Sequence, residues 1–186
     1  MTLSLTFPGE PFASFFDSPE EYEFALWCIE AKDAGLIETI EYHPAPFVLS
    51  ERAAYSMPVQ TKTKEKIKEF FILHPHEYTA DYKLRLTDRG RAYLLKFNML
   101  HHFQEPNIYI DVKGAFSMYN DAKPFSINQK WVYDKYGVFI YKAVPRVWFK
   151  KTWVPTLARR TVKTGKLRDC YLGFKTISEL QEGGLI

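Results

Sequence analysis

Asp111 and Lys113 stand two apart in the run 107–116, where Ile108, Ile110 and Val112 alternate with Tyr109, Asp111 and Lys113. Such alternation predicts a strand. Residues two apart on a strand face the same way, so the carboxylate and the ammonium project side by side while Val112 faces the opposite layer. Burying that pair for its own sake is costly. The pair becomes useful if the carboxylate binds a divalent ion and the lysine meets an attacking water or a phosphate oxygen. Asp81, in the strand-like run 78–86, offers a second carboxylate from a neighbouring strand. The two carboxylates make a hard-oxygen site suited to Mg²⁺ or Mn²⁺, to which the backbone carbonyl of Val112 is a candidate further ligand. A metal held there would lower the pKa of a bound water and neutralise charge developing on a phosphate. D-x-K alone is a common tripeptide, and the plain alternative is an Asp–Lys pair on the solvated face of an amphipathic strand.

The elements that must position these groups are partly legible. Residues 17–35 read as a helix: Asp17-Ser18 offers an N-cap, Pro19 suits the first position, Glu21 completes a Ser-x-x-Glu capping box and Gly35 closes the helix. Tyr22, Ala25, Leu26 and Ile29 share one face of it. Residues 37–49 read as extended and broken by Pro44 and Pro46. The charged stretch 60–69 fits either an exposed helix or a long edge hairpin. Strands are expected at 70–73 and 78–86, with a break at His74-Pro75-His76, and Asp88-Arg89-Gly90 signals a turn. Residues 91–102 lean to helix, 124–136 to a short helix stopped by Gly137, and 138–144 to a strand. This order predicts an α/β fold with a central mixed β-sheet flanked by helices.

Beyond the D-x-K-G strand and the upstream Ala80-Asp81, the match extends to Phe16, Asp17, Ser18, Glu21, Glu23, Ala34, Gly35 and Ile37. In these positions the sequence resembles the PD-(D/E)XK, or restriction-endonuclease-like, nuclease superfamily, and within it a phage-encoded group. There, an F-D-S-x-x-E-x-E segment precedes a helix ending in A-G-x-I, an A-D strand and a D-V-K-G strand. The resemblance covers about 15–50, 78–83 and 108–140; Ala80 stands where the superfamily's name has Pro. It leaves 51–77 and 84–107 uncovered. It implies a restriction-endonuclease-like core in which Glu21, Asp81 and Asp111 hold metal and Lys113 acts on the nucleophile. As a capping residue Glu21 needs no catalytic role, Glu20 competes for it, and Glu23 is expected to be solvated.

Gln129 and Tyr133 form a Q-x-x-x-Y pair on one helix face. In the RecB-like branch of the superfamily such a pair positions DNA or the active-site groups. Otherwise Tyr133 is a packing residue, and Lys130 is the phosphate contact. Charge is uneven. Residues 1–60 hold ten acids against Lys32 and Arg52, whereas 123–175 hold thirteen bases against Asp134 and Asp169. The basic stretch includes Lys150, Lys151, Arg159, Arg160 and Lys163, with Trp148, Trp153 and Tyr171 interleaved, a composition suited to phosphates and splayed bases. Its alternative is a solvated surface over core tryptophans. The five histidines lack zinc-ligand spacing with Cys28 and Cys170 and are left out of the site.

One domain is therefore expected over 1–186, with a core at about 15–145 and a basic, aromatic C-terminal extension at 146–186. No apolar run of transmembrane length and no secretory leader is read, and a cytoplasmic protein is expected, in the host cell if phage-encoded. The resemblance implies an Mg²⁺-dependent DNA endonuclease selective for branched DNA, such as a Holliday junction resolvase, acting as a homodimer because symmetric cutting needs two sites. Rivals are a nicking, transposition-associated or exonucleolytic enzyme of the same fold, and a non-catalytic DNA-binding protein. Clustered carboxylates argue against the last.

Overall fold

The computed structural model describes residues 15–101, 106–114, 122–161 and 164–186. Helix α1 (Pro19–Asp33) starts as its sequence dictates: the Ser18 hydroxyl accepts from the Glu21 N–H, and proline sits in the first turn. It ends in a Schellman pair, with Leu36 N–H donating to the Ala31 carbonyl and Gly35 N–H to that of Lys32. That ending turns the chain through φ +72° at Gly35, where a side chain would be strained.

The chain then forms β1 (Ile37–Tyr42), β2 (Phe47–Ser50), β3 (Ala53–Gln60), β4 (Glu65–Leu73), β5 (His76–Tyr78) and β6 (Tyr82–Leu86). Helix α2 (Asp88–Lys96), β7 (Asn107–Val112), α3 (Ala122–Tyr136), β8 (Ile140–Ala143), α4 (Pro145–Lys151) and α5 (Ile177–Glu182) follow. The central sheet has the order β1-β6-β7-β8. Its first two pairings are antiparallel, and β7 with β8 is parallel. The fold is thus α/β with a mixed central sheet flanked by helices. Among the described residues no helix is long and apolar enough to cross a membrane.

The alternation in β7 divides the two layers. Ile108, Ile110 and Val112 join the larger core with Phe24, Trp27 and Ala31 of α1. Tyr109 packs with the smaller core, where Phe125 and Val132 of α3 meet Leu49, Tyr78, Ala80 and Ile140.

Three expectations need revision, and one open choice is decided. First, 78–86 is not one strand. The chain bends at Asp81 between β5 and β6, and β5 leaves the central sheet to pair with β2. Second, Asp88-Arg89-Gly90 opens α2 instead of a turn, because the Thr87 hydroxyl accepts from Gly90 N–H and caps the helix. Of the two readings left open for 60–69, the structure takes the hairpin: β3 pairs antiparallel with β4, closed at 61–64. Third, the segment 146–186 does not hang off the core. Trp148, Phe149, Trp153, Tyr171, Ile177 and Leu180 are buried in it. The Trp27 ring stacks on Trp153 at 5.0 Å and meets Trp148 edge-on at 5.4 Å. Trp153 and Tyr171 are therefore packing residues and have no face free for a base.

Gly90 is where α2 touches the turn after α1. A Cβ there would lie 1.9 Å from the Leu36 carbonyl oxygen, which already accepts from Thr87 N–H. Backbone cannot yield as a flexible side chain does, so Gly90→Ala should destabilise the fold by about 3 kcal/mol. Urea unfolding of the two proteins measures this.

Candidate active site

The sheet positions Asp111 and Lys113 by its pairing. Lys113 N–H donates to the Ala143 carbonyl at 2.8 Å, so the peptide groups of Asp111 and Lys113 face β8. The Val112 N–H faces the other way, toward β6. Pairing of β6 with β7 stops at Tyr82 and Ile110. Beyond that point the Val112 N–H donates instead to Asp81 Oδ2, at 2.6 Å. The bend at Asp81 thus exchanges a ladder bond for a charge-assisted one and fixes the carboxylate beside the end of β7.

Asp111 is 3% exposed. Its Oδ1 accepts from the Tyr78 hydroxyl at 2.8 Å. Its Oδ2 lies 2.8 Å from Lys113 Nζ, an ion pair without hydrogen-bond alignment, and accepts no hydrogen bond from any described group. A buried carboxylate oxygen so placed has capacity left for a cation. Burial pushes the Tyr78 hydroxyl up, as do the Asp111 and Asp81 charges, so it stays a donor.

Glu21 enters from α1 and is buried despite its charge. Oε1 accepts from the Ser18 hydroxyl and Oε2 from the Tyr42 hydroxyl, each at 2.7 Å. The Tyr82 hydroxyl holds the Glu21 carbonyl at 2.7 Å. Glu21 thus does more than cap: two hydroxyls orient its carboxylate at the sheet end. The Asp81 carboxyl is pushed up to about 7, first by burial, then by the charges of Asp111 and Glu21, against the pull of the Val112 N–H and Lys113. Glu21, Asp81, Asp111 and Lys113 therefore share one electrostatic site.

The carboxylates are not packed to a single ion's radius as the side chains stand. Among the described residues, the group with ligand atoms all within 4.8 Å of one another is Asp17, Glu21 and His43. His43 Nε2 lies 3.6 Å from Asp17 Oδ2. His43, which follows Tyr42 directly, is thus the one histidine of this group that stands beside Glu21. The sequence reading also missed Tyr78 and Tyr42. Each lies at a strand end next to a named acid in space, and Tyr78 lies three positions before Asp81.

The other named residues stand apart from this cluster. Glu20 leans over Gly114, where a Cβ would lie 2.9 Å from its Oε1, so it flanks the site. Glu23 is not solvated: Arg168 and Tyr171 from the C-terminal segment both bond it. Gln129 Nε2 donates to the Ile140 carbonyl at 2.6 Å, which ties α3 to the start of β8. Lys130 and Tyr133 are exposed on α3, and Lys150 and Lys151 on α4. Arg159 pairs with Glu179 at 3.0 Å, and Arg160 donates to the Gly165 carbonyl at 2.8 Å. Lys163 lies outside the described residues. Cys28 and Cys170 are both free thiols.

Comparison of the chain with protein-family models, with curated proteins and with solved structures finds no match. The geometry alone therefore carries the functional argument.

The raised carboxyl at Asp81 has a measurable consequence. An unfolded Asp titrates near ~3.9. Between that pH and about 7 the folded chain holds a proton that the unfolded chain has released. Stability of the metal-free protein therefore falls as pH rises through this window and levels off above it. Asp81→Asn removes the fall, and should exceed the parent in stability at pH 8 by on the order of 1–3 kcal/mol. Urea titrations at pH 5 and pH 8 test this. Equal pH dependence in both proteins would contradict the placement of Asp81 among the acids.

Proposed function

We propose that this chain is a metal-dependent DNA endonuclease of the PD-(D/E)XK type that hydrolyses phosphodiesters in branched DNA. The observation that carries this reading is the pairing, at one strand end, of the buried Asp111 with Lys113 while Asp81 is held beside them by the Val112 N–H. The mixed sheet with a carboxylate-bearing helix across its end is the arrangement that a restriction-endonuclease-like core would have.

The donor set suits a hard divalent cation. Asp81 and Asp111, with the Val112 carbonyl and Glu21, would hold Mg²⁺ or Mn²⁺ by closing on it from their wider spacing, and Asp111 Oδ2, which accepts no hydrogen bond, has the capacity for it. Such an ion supplies an activated water at neutral pH and a counter-charge for the phosphate. The protein groups do the rest. Tyr78 fixes the Asp111 carboxylate by a 2.8 Å hydrogen bond, so its other oxygen, beside Lys113, keeps one direction. Ser18 and Tyr42 do the same for Glu21. Lys113, on the same face as Asp111, orients the attacking water and stabilises charge building on the phosphate oxygens. Asp81 must lose its proton before it can bind a cation, so cleavage should rise with pH toward neutrality.

A pure phosphate binder would gain nothing from three acids at its centre, which favours a catalyst over a binding module. Symmetric cutting of a four-way junction needs two such sites and hence two copies of the chain.

The test is cleavage of labelled linear, nicked and four-way DNA with Mg²⁺, followed on gels. The four-way substrate should be cut fastest. Asp111→Ala and Lys113→Ala should each lower the rate by on the order of a thousandfold, with folding intact by circular dichroism. Undiminished cleavage by either variant would remove these residues from the site.

A further inference from the structure

The β3–β4 hairpin has no place in the nuclease core, yet its charge is sorted. In the run Glu65-Lys66-Ile67-Lys68-Glu69-Phe70, the strand period puts both lysines on one face and both glutamates on the other. Register pairs Tyr55 with Phe70, Met57 with Lys68 and Val59 with Lys66. The lysine face therefore contains no acid, because β3 has none. The tip adds Lys62 and Lys64. On this face Tyr55 stacks on Phe70 at 5.3 Å, and Lys68 Nζ sits 5.3 Å from the Phe70 ring centre. On the other face, Glu69 is neutralised by Arg52 at 2.8 Å.

All of β4 except Phe70 is exposed, including Ile67 at 80%. A two-stranded ribbon with so much bare surface is marginal alone, so a partner that covers it adds stability. The ribbon is rooted at the candidate active site. β3 follows β2, and β4 leads into β5, which ends in Tyr78 on Asp111. That root is clamped to α3: Lys135 Nζ and the Tyr136 hydroxyl both donate to the Val48 carbonyl, and His76 bonds Asn128.

We infer that the β3–β4 hairpin is a DNA-binding arm, whose lysine–aromatic face lies along the phosphate backbone of the duplex flanking the bond to be cut. Charge chooses this occupant. A face of lysines and rings without a carboxylate suits a polyanion, and a two-stranded ribbon is of a width that enters a major groove. Eight residues at about 3.4 Å each make an arm of about 27 Å. That spans roughly eight base pairs at about 3.4 Å per step. The inference rests on the nuclease reading for the identity of the polymer and extends it to a second contact surface.

The experiment is equilibrium binding of the full chain to four-way DNA in EDTA, across a salt series, with Lys62, Lys64, Lys66 and Lys68 all changed to Ala, or all to Arg. Each lysine in contact with a phosphate contributes about 0.9 to the slope of log affinity against log salt. The Ala variant should lose about two to four units of slope, and the Arg variant should keep them. Wild type should also prefer junction arms of about 20 base pairs over arms of about 6, and the Ala variant should lose that preference. An unchanged slope in the Ala variant overturns the inference while leaving cleavage, and so the nuclease reading, standing. Binding with this slope change but without cleavage in Mg²⁺ refutes the nuclease reading and keeps the arm. Loss of self-association by the Ala variant in sedimentation, with DNA affinity unchanged, assigns the arm to a second copy of the chain and overturns it.

Discussion

The hydrogen bond from the Val112 N–H to the Asp81 carboxylate, 2.6 Å long, holds the point where the structure divides. Continued pairing of β6 with β7 would have placed the Ala80 carbonyl opposite that N–H. A side chain takes its place, the chain bends, and β5 is released to pair with β2. Three things follow from that one substitution of partner. Asp81 is fixed beside β7, the end of β7 is left open on that edge, and Tyr78 is brought from the departing strand onto Asp111. Tyr82 and Ala80 end up in different cores, which a continuous strand would not allow.

Gathering negative charge at this fork costs free energy, and the protein offsets part of it with donors. Hydroxyls of Tyr78, Tyr42 and Ser18 point at carboxylate oxygens, and one ammonium, Lys113, faces Asp111. The offset is incomplete, since Asp81 still holds its proton up to about neutral pH. Purely structural carboxylates in such a place would be replaced by apolar groups at little cost. An incompletely compensated acid cluster is the condition in which a divalent cation binds with gain, because the cation takes the place of the proton.

How much of this was legible in the sequence depended on the range of the causes. The helix of Glu21 could be read because its signals are local: Ser18, Pro19 and Gly35 act within a turn of themselves. Asp111 and Lys113 could be placed on one face because strand alternation is also local. The split at Asp81 could not be read, since its cause is a hydrogen bond across 31 positions. The burial of Trp153 and Tyr171 failed in the same way. The basic residues around them suggested an exposed tail, but Glu30 accepts from the Trp153 ring N–H and Glu23 accepts from Arg168 and Tyr171. Glu23 thereby neutralises Arg168, whereas Glu30 meets the neutral donors Trp153 and Thr156. Among the described residues one ion pair, Glu23 with Arg168, thus joins the acidic first third to the basic last third.

That internal pairing changes where a polyanion could be met. Of the basic residues in the tail, Arg159 and Arg168 are engaged with Glu179 and Glu23, and Arg160 with a carbonyl. The lysines of the hairpin face no acid across their own strand pair. An arm of about 27 Å is longer than the screening length of about 8 Å at physiological salt, so charges at its two ends act independently. A centre rich in carboxylates repels any polyanion brought near it, and positive charge is most useful where that repulsion has faded. The fork at Asp81 joins the two regions, because β5, the strand it releases from the central sheet, follows directly on β4 of the hairpin.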